Sequence, residues 1–524
     1  MTTGRSPGLP HVSIPASYNL ADHLLRRRRE VGDGAKVAFC CPDRDWTYGE
    51  VVALAAGVAG ALEALGVRRE ERVLIALPDS AEFAATFLGT LLLGAVAVPC
   101  NTFLGVADYR YFLAESRAPV LVTTAALADA LAPAIAEAAD LTAVLVCDAR
   151  DDGHLTRAWP RWVDPHSPVV PPVNTHRDAP AFWLWTSGST GTPKAAVHLH
   201  QDWPWCCEGF GVGVLELTGS DRLFSAAKLF HAYGLGNGLA FPFWVGATTA
   251  LLPARATPDA VFDVMRRHRP TVFFGVPTLY AALVQRTPGE TEATTSLRLA
   301  VSAGEPLPAD LYRRWREVFG AELLDAIGST EVLHCYLSPR PGAVRPGSVG
   351  QPVPGYAVRI VDERGDDVPA GDIGELLVHG QSTALAYWQR REQTAEKMRG
   401  PWFRSGDQYR VDADGYYWHI GRSDDMFKVS GEWCSATEVE AALAGHPAVL
   451  ECAVVPEADA SGVLKPRAIV VAVAGQADTD GLADELREFV RGRLARYKVP
   501  RTIEFVRELP KTATGKIQRF KLRV

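Results

Sequence analysis

The 524-residue sequence lacks the features that mark several classes of protein. Its nine cysteines include no C-x-x-C pair and no metal-like spacing, and the adjacent pairs Cys40/Cys41 and Cys206/Cys207 are poor candidates for ordinary disulfides. A net charge of -7 leaves no basic excess for a nucleic-acid partner. These absences exclude a disulfide scaffold, argue against nucleic-acid binding and predict a reducing, cytoplasmic location.

Targeting signals are missing as well. The N-terminus has no charged start followed by an apolar run, so we expect no signal peptide. A long uncharged stretch, residues 83–107, is interrupted by Gly89, Gly94, Pro99 and Asn101, which predicts a buried helix followed by a strand and no membrane span. The basic run Arg26 to Arg29 has no aromatic or further basic cluster beside it and predicts a solvated helix face.

Short apolar runs alternate with helical, Ala- and Leu-rich segments along most of the chain. The runs cover residues 72–77, 120–124 and 143–147 in a first series, and residues 271–276, 297–304 and 322–328 in a second. Such alternation is typical of parallel sheets covered by helices, so we predict an α/β fold with two α/β subdomains.

The pattern changes twice in the second half of the chain. After Pro339, strands separated by Gly, Pro and Asp turns predict a small antiparallel β subdomain. From Asp424 onward, a helix, two strands, a second helix and a polar tail predict a compact α+β domain. We therefore predict a large N-terminal domain over residues 1–423 and a small C-terminal domain over residues 424–524.

The segment TSGSTGTPK, Thr186 to Lys194, has the composition of a phosphate-binding loop. Its glycines let backbone N-H groups approach a ligand, its hydroxyls can donate to phosphate oxygens, and its lysine adds a mobile positive charge. Its spacing does not fit the G-x-x-x-x-G-K-[ST] loop, and neither does the Gly-Lys pair Gly515 and Lys516. A polar surface turn is the alternative, but the position directly after an apolar strand favours phosphate contact.

Three other segments carry groups that a nucleotide site needs. DAIGSTE, Asp325 to Glu331, ends a strand-like run, and its glutamate is either a Mg2+ ligand or a carboxylate at a helix start. Asp407 can accept hydrogen bonds from ribose hydroxyls and Arg422 can contact sugar or phosphate, although each could equally form a surface ion pair. Lys516, in LPKTATGKIQRFKL, is either a catalytic cation or part of a mobile basic tail.

The order and approximate spacing of these motifs resemble those of the adenylate-forming superfamily, which contains acyl-CoA synthetases, adenylation domains and luciferases. The motifs are TSGSTGTPK, DAIGSTE, SGD at residues 405–407, GRSDDMFKVSG at residues 421–431 and PKTATGK at residues 510–516. The resemblance covers nearly the whole chain. Two further segments, SAAKLFHAYGLGNGLAFPFWVGAT and IGSTEVLHCYLS, are most similar to benzoate-CoA ligases and other aryl-acid ligases.

The resemblance implies an AMP-forming acid-thiol ligase that works in two steps at one site. A carboxylate attacks the α-phosphate of ATP, with Mg2+ bound, to give acyl-AMP and pyrophosphate, and the thiol of coenzyme A then displaces AMP. The first step is needed because a carboxylate is a poor electrophile, whereas acyl-AMP has a good leaving group. Such an enzyme would act on an aryl carboxylate in aromatic acid metabolism, as a monomer or a homodimer.

The same resemblance implies where the nucleotide binds. The loop would hold the β- and γ-phosphates, Thr330 and Glu331 would serve the α-phosphate and Mg2+, and adenine would lie between the segments SAGEP and DAI. Asp407 and Arg422 would bind the ribose. The implied ATP and AMP contacts are Thr186, Ser187, Gly188, Ser189, Thr190, Gly191, Thr192, Lys194, Ala303, Gly304, Glu305, Pro306, Asp325, Ala326, Ile327, Gly328, Ser329, Thr330, Asp407, Arg422 and Lys516.

Catalysis is implied to involve the small domain. Lys516 would bridge the carboxylate and the α-phosphate during adenylation. The other catalytic residues would be Glu331, Thr330 and His231. Asp424 matches the hinge about which the small domain would rotate after adenylation. The thiol channel would then be lined by Lys428, Ser430, Gly431, Glu432 and Trp433.

The acid pocket is implied by positions that resemble those of benzoate-CoA ligases. These are His231, Ala232, Tyr233, Ala303, Gly328, His334, Cys335 and Lys428. His231 matches a position beside the carboxylate, although a packed core histidine is the alternative. No acidic residue stands in KLFHAYGLGN to receive an α-amino group, which argues against amino-acid activation, and a small apolar pocket favours an aromatic acid.

Two positions depart from the family pattern, and two questions stay open. Ala195 stands where glycine is usual, and Cys335 stands where a bulkier aliphatic residue is usual, which predicts space for a hydroxyl, amino or chloro substituent on the ring. A phosphopantetheine arm on a carrier protein could replace coenzyme A, because the two thiols share their reactive end. A non-catalytic nucleotide-binding protein is the remaining alternative, and an intact Lys516 argues against it.

Overall fold

The computed structural model describes residues 4–5, 9, 12–149, 152–166, 172–187, 192–286, 291–422, 426–429, 432–458, 464–473, 480–511 and 517–523. Within these residues, no helix is both long and apolar enough to cross a bilayer. All nine cysteines fall in the described ranges and are free thiols, as their spacing predicts.

The first large sheet has eight strands in the described part of the chain, parallel in its centre and antiparallel at one edge. In spatial order they are Ala386–Tyr387, Pro193–Leu199, Pro180–Ser187, Val96–Pro99, Arg72–Ala76, Val120–Thr123, Ala143–Val146 and Thr156–Ala158. The central strands are almost wholly buried because helices cover them. The helices of this region are Leu20–Glu30, Tyr48–Ala64, Ala81–Leu92, Val106–Ser116, Ala125–Ala130, Ala132–Glu137 and Trp159–Trp162.

The second large sheet has seven strands in the described ranges and is parallel except at one edge. In spatial order they are Glu322–Asp325, Leu299–Ser302, Val272–Gly275, Arg222–Ser225, Thr248–Ala250, Val37–Cys40 and Asp45–Thr47. Its neighbouring helices are Pro258–His268, Pro277–Gln285 and Ala309–Phe319. The two sheets confirm the predicted α/β fold.

Two helical segments pass through π-helical turns. Asp202–Cys206 continues into the π-helix Cys207–Val212. Ala232–Leu235 continues into the π-helix Gly236–Ala240 and then into Phe241–Val245. Glycine is required at Gly236, because a Cβ there would lie 2.3 Å from Cδ2 of His334.

A third, antiparallel sheet confirms the predicted β subdomain. Its strands are Gly4–Arg5, Ala357–Val361, Gly374–His379, Trp402–Val411, Met398–Arg399 and Tyr417–Arg422. A small sheet of Ile327–Gly328, Cys335–Ser338 and Gln351–Pro352 lies after the second large sheet in the chain, and Arg391–Lys397 is helical. Short 3-10 helices occur at Asp33–Ala35, Thr291–Thr294, Thr330–Val332, Arg496–Lys498 and Arg519–Lys521.

The C-terminal part has its own buried apolar core, which includes Val439, Leu443, Val454 and Leu486. It consists of the hairpin Met426–Val429 and Glu432–Ser435, the helices Ala436–Ala444 and Asp480–Arg491, and a sheet of Val449–Ala458, Leu464–Ala472 and Thr502–Phe505. Asp424, at the predicted boundary, lies outside the described residues, so the division between residues 423 and 424 stays a prediction.

The first helix, Leu20–Glu30, contains the basic run that was predicted to be solvated. That prediction is wrong for Arg28, whose side chain is 4% exposed. Its guanidinium lies 2.7 Å from Asp33 Oδ2 and donates to the Trp244 carbonyl at 3.3 Å. A buried cation needs such partners, and they come from residues outside the helix.

Candidate active site

The predicted phosphate loop is the connection of an antiparallel hairpin. Its two strands, Pro180–Ser187 and Pro193–Leu199, place Thr186 opposite Lys194. Thr192 is exposed at the end of the loop. Four predicted contacts lie outside the described residues: Gly188, Ser189, Thr190 and Gly191.

Tyr387 contacts both Lys194, through its ring, and Glu331, through its hydroxyl. The Lys194 Nζ lies 4.3 Å from the centroid of the tyrosine ring, and the tyrosine hydroxyl donates to Glu331 Oε1 at 2.7 Å. Burial lowers the pKa of Lys194, and Glu331 opposes this shift by favouring the charged ammonium. Burial and the adjacent carboxylate raise the pKa of Tyr387, so its hydroxyl keeps its proton and remains a donor.

The 3-10 turn Thr330–Val332 carries the predicted α-phosphate and metal residues. Each of its three carbonyl oxygens accepts a hydrogen bond from outside the turn: from His198 Nε2 at 2.8 Å, from the Ala384 N-H at 2.7 Å and from Ser382 Oγ at 2.8 Å. Ser329 caps the turn by accepting from the Val332 N-H at 3.3 Å. The position of the turn is therefore fixed by contacts from distant parts of the chain.

Asp407 and Arg422, the predicted ribose contacts, face each other on neighbouring strands. The Arg422 Nε lies 3.8 Å from Asp407 Oδ1, and the arginine side chain is half exposed. This separation exceeds hydrogen-bond distance, so both side chains can still form hydrogen bonds with a ligand. Arg422 is also close enough to lower the pKa of Lys194, after the larger effect of burial.

The two segments predicted to flank adenine follow neighbouring strands, with Ser302 opposite Asp325. Asp325 Oδ2 accepts from the Leu307 N-H at 3.2 Å, and burial raises the pKa of Asp325 to about 8. In the described part of the chain, the buried Asp325 Oδ1 and Ser302 Oγ have no hydrogen-bond partner. Gly304 has a φ of +96°. The other predicted residues at these strand ends are Ala303, Glu305, Pro306, Ala326 and Ile327.

Gly328 and Cys335 of the predicted acid pocket pair in the small antiparallel sheet. A Cβ on Gly328 would lie 2.5 Å from the His334 carbonyl oxygen, so no side chain fits at this position. Ala232 and Tyr233 start a helix in the second α/β region, and the tyrosine hydroxyl donates to the Val301 carbonyl at 3.0 Å. These contacts bring together pocket residues from separate parts of the sequence.

His334 is buried among the rings of Phe210, Tyr233 and Phe241, with centroid distances of 5.2, 5.6 and 4.7 Å. Its Nε2 lies 3.2 Å from Asn237 Oδ1. Within the described ranges, His334 Nδ1 and Asn237 Nδ2 have no hydrogen-bond partner. Burial lowers the pKa of His334 to about 3, so the imidazole is neutral at physiological pH.

His231 lies at the start of the Ala232–Leu235 helix and is partly exposed. Its ring packs edge-on against Phe230 with 4.6 Å between centroids. The backbone N-H of His231 donates to the Lys228 carbonyl at 3.0 Å. Lys228 in turn lies 3.5 Å from Asp79 Oδ2 in a buried ion pair. The segment that carries His231 is thus anchored by a paired charge.

The residues predicted for the small domain are placed only in part. Lys516, Asp424, Ser430 and Gly431 lie outside the described residues. Lys428 is paired with Trp433 across the hairpin, and Glu432 lies on the same hairpin. Their roles, and that of every other predicted site residue, stay predictions.

Three residues at the site were missed by sequence reasoning: Tyr387, His198 and Asn237. Tyr387 and His198 lie outside the quoted motifs. Asn237 lies in the segment SAAKLFHAYGLGNGLAFPFWVGAT, where the resemblance gave it no role. For His198, the available signal was its four-residue separation from Asp202, and the two side chains are in contact at 2.8 Å. In the described part of the chain, no cluster of three or more His, Cys, Asp or Glu could hold a metal ion.

Two protein-family profiles match the chain. The profile described as AMP-binding enzyme matches residues 27–388. The profile described as AMP-binding enzyme C-terminal domain matches residues 438–516.

Similar proteins cover almost the full length. A benzoate-CoA ligase from Thauera aromatica is 44% identical over 98% of this chain and 97% of its own. A 4-hydroxybenzoate-CoA/benzoate-CoA ligase from Rhodopseudomonas palustris is 42% identical over 97% of this chain and 94% of its own.

Solved structures give the same result. An anthranilate CoA ligase in complex with anthranoyl-AMP matches with a TM-score of 0.93 and 42% identity, over 97% of each chain. A benzoate CoA ligase from Burkholderia xenovorans LB400 matches with a TM-score of 0.89 and 43% identity, over 97% of this chain and 100% of that one.

Proposed function

We propose, from the premise that the chain belongs to the AMP-binding enzyme family, that it activates an aromatic carboxylate as acyl-AMP and transfers the acyl group to coenzyme A. This is the AMP-forming acid-thiol ligase that the sequence predicts. Full-length similarity to benzoate-CoA and 4-hydroxybenzoate-CoA ligases bears out that assignment.

One observation carries the proposal: the segment from Asp325 to Glu331 contacts Tyr387, which Lys194 also contacts, and pairs with the strand that follows His334 and its surrounding rings. At its end, Glu331 shares Tyr387 with the loop lysine. In its middle, Gly328 pairs with Cys335 directly beside His334. An acid in the pocket would therefore lie next to the α-phosphate of a nucleotide held by the loop.

Adenylation brings together a carboxylate and a phosphate, so their negative charges must be offset. Lys194 would hold the outgoing pyrophosphate, and Thr330 would contact the α-phosphate. His231 would lie on the carboxylate side. Lys516 would bridge the reacting carboxylate and the α-phosphate, where its charge stabilises the transition state.

The residues present fit a bound Mg2+. Glu331 supplies a carboxylate oxygen, the type of ligand that Mg2+ prefers, and Tyr387 holds this group in place through Oε1. Since no larger acidic cluster occurs in the described ranges, the remaining ligands would be phosphate oxygens and water. The ion would neutralise charge on the phosphates.

The second step needs an approach for the thiol. Asp424 would act as the hinge between the domains over residues 1–423 and 424–524, and rotation would withdraw Lys516. The hairpin segment from Lys428 to Trp433 would then face the thiol channel. A phosphopantetheine arm on a carrier protein remains the alternative acceptor.

The preferred acid would carry a polar substituent on its ring. Cys335 provides less side-chain volume than the larger aliphatic residue usual in the family. His334 Nδ1 and Asn237 Nδ2, both unpartnered in the described part of the chain, could pair with a hydroxyl or amino group. A buried polar atom left unpaired disfavours a substrate that cannot bond it.

An acid panel tests the function. Benzoate, its hydroxy, amino and chloro derivatives, and an aliphatic acid are each incubated with ATP, Mg2+ and either coenzyme A or a phosphopantetheinylated carrier protein. AMP release and product mass are measured. We expect aryl-CoA formation, fastest with a hydroxy- or aminobenzoate; a much higher kcat/KM for unsubstituted benzoate would contradict the proposed ring substituent. If no acid supports exchange of labelled pyrophosphate into ATP, the protein is a nucleotide binder.

A further inference from the structure

His198 and Asp202 form a buried pair beside the Thr330–Val332 turn. His198 Nδ1 lies 2.8 Å from Asp202 Oδ2, and both side chains are fully buried. The other ring nitrogen, Nε2, lies 2.8 Å from the Thr330 carbonyl oxygen. The imidazole therefore joins a carboxyl group on one side to the turn on the other.

The partners of His198 fix which of its nitrogens donates. A carbonyl oxygen can only accept, so Nε2 carries a proton and donates it to Thr330. The contact between Nδ1 and Asp202 Oδ2 is a hydrogen bond as well, so one of these two atoms carries a second proton and donates it to the other. Asp202 Oδ2 also accepts from the Leu199 N-H at 3.0 Å, which holds the carboxyl in place.

The plane of the His198 ring is fixed as well. His198 lies opposite Phe182 in the hairpin, and the two rings stack with centroids 5.1 Å apart and planes 16° from parallel. His198 belongs to the strand Pro193–Leu199, which also carries Lys194. One strand therefore holds both the loop lysine and the histidine that contacts the turn.

We propose that His198 is a positioning residue that sets, through its bond to the Thr330 carbonyl, the distance between the phosphate hairpin and the Thr330–Val332 turn. The inference rests on the proposed function, because it takes the turn as the α-phosphate and metal site. A nucleoside triphosphate spans the loop and the turn, so its binding depends on their separation. The acid lies elsewhere in the site, so loss of the bond to Thr330 weakens ATP binding more than acid binding.

Two substitutions separate the two bonds of His198. His198→Asn keeps an amide N-H near the Nδ1 position, so it can reach Asp202 but not Thr330. His198→Gln places an amide N-H near the Nε2 position, so it can donate to Thr330 but not to Asp202. Each variant therefore loses one of two buried hydrogen bonds, and we expect His198→Gln to lose more stability because its lost bond is to the buried Asp202 carboxyl.

The KM values separate positioning from simple stability. We expect His198→Asn to raise the KM for ATP roughly tenfold while the KM for the acid changes less than about twofold, and His198→Gln to keep the ATP KM close to the wild-type value. His200→Gln is the matched control. His200 is equally buried and its Nδ1 accepts from the Leu20 N-H at 3.2 Å, away from the turn.

Thermal denaturation of every variant accompanies the kinetics. Equal rises in the ATP KM for the two His198 variants, or an unchanged ATP KM in His198→Asn, would overturn the positioning role. Wild-type exchange of labelled pyrophosphate into ATP is measured in the same series. If the wild type is active and His198→Asn has an unchanged ATP KM, only this inference is refuted. If the wild type is inactive, the proposed function is refuted and this inference with it.

Discussion

The Thr330–Val332 turn and the pocket around His334 are adjacent in the chain and are built in opposite ways. In the turn, each carbonyl and the Glu331 carboxylate has a partner from a distant part of the protein. In the pocket, His334 Nδ1 and Asn237 Nδ2 have none within the described residues. The turn is thus held in place before any ligand binds, whereas the pocket leaves hydrogen bonds for a substrate to complete.

The largest expected effect comes from Lys516, which would act on both regions at once. We expect Lys516→Ala to lower the rate of acyl-AMP formation at least about 100-fold and to leave thioester formation from supplied acyl-AMP nearly unchanged. Pyrophosphate exchange and single-turnover thiolysis measure the two steps. Lys511→Ala is the control, because Lys511 lies in the same C-terminal tail and its Nζ is paired with Glu451 Oε1 at 2.6 Å. Equal loss of both steps in Lys516→Ala would refute the two-step role.

A substitution in the turn tests whether its carboxylate carries the metal. Glu331→Gln keeps the shape and an oxygen that can accept from Tyr387, but it removes the charge. We expect kcat/KM for ATP to fall about 100-fold and the Mg2+ requirement to rise, while the acid KM stays near its original value. Tyr387→Phe should cost less, because it keeps the Glu331 charge and removes only one hydrogen bond to the carboxylate. An unaltered Mg2+ titration in Glu331→Gln would show that the metal binds elsewhere.

The pocket should respond to side-chain volume instead of charge. Cys335→Ile restores a larger aliphatic side chain, so we expect the kcat/KM ratio of 4-hydroxybenzoate to benzoate to fall about tenfold with little change in the ATP KM. Competition assays with both acids measure the ratio directly. Cys147→Val, in the turn that follows the first-sheet strand Ala143–Val146, is a control that should leave the ratio unaltered. A constant ratio in Cys335→Ile would mean that this position does not select the substituent.

The smallest expected effect concerns Asp325, whose buried Oδ1 has no hydrogen-bond partner in the described part of the chain. Burial raises its pKa to about 8 in the folded protein, so the folded state binds a proton that the unfolded state has already released above about pH 4. The group therefore costs stability increasingly as the pH rises from about 4 to about 8. We expect Asp325→Asn to raise the Tm of the free protein by a few degrees more at pH 8 than at pH 5.

The matched control for this pH effect is the exposed Asp366, whose replacement by Asn should give the same small Tm change at both pH values. A Tm difference for Asp325→Asn that does not vary with pH would show that the carboxyl is already ionised in the folded state.

The sequence predicted the parts of the fold and the site whose signal is local. Alternating apolar runs and helices predicted both large sheets, and the apolar run before Ser187 predicted the strand Pro180–Ser187. Contacts between distant residues leave no such signal. Tyr387 meets Glu331 across 56 positions from a two-residue strand, and Asn237 meets His334 across 97. The burial of Arg28 was missed for the same reason, because one of its hydrogen bonds is to the carbonyl of Trp244, 216 residues away in the chain.

Gly236 sets a boundary for any redesign of the acid site. A side chain there would collide with His334, which is already enclosed by three aromatic rings. Libraries that randomise this glycine would mostly yield displaced imidazoles or poorly folded variants. Diversity is better placed at Cys335, a strand residue where the family's usual side chain is larger. The close approach of Gly236 to His334 thus tells an engineer which position to leave alone.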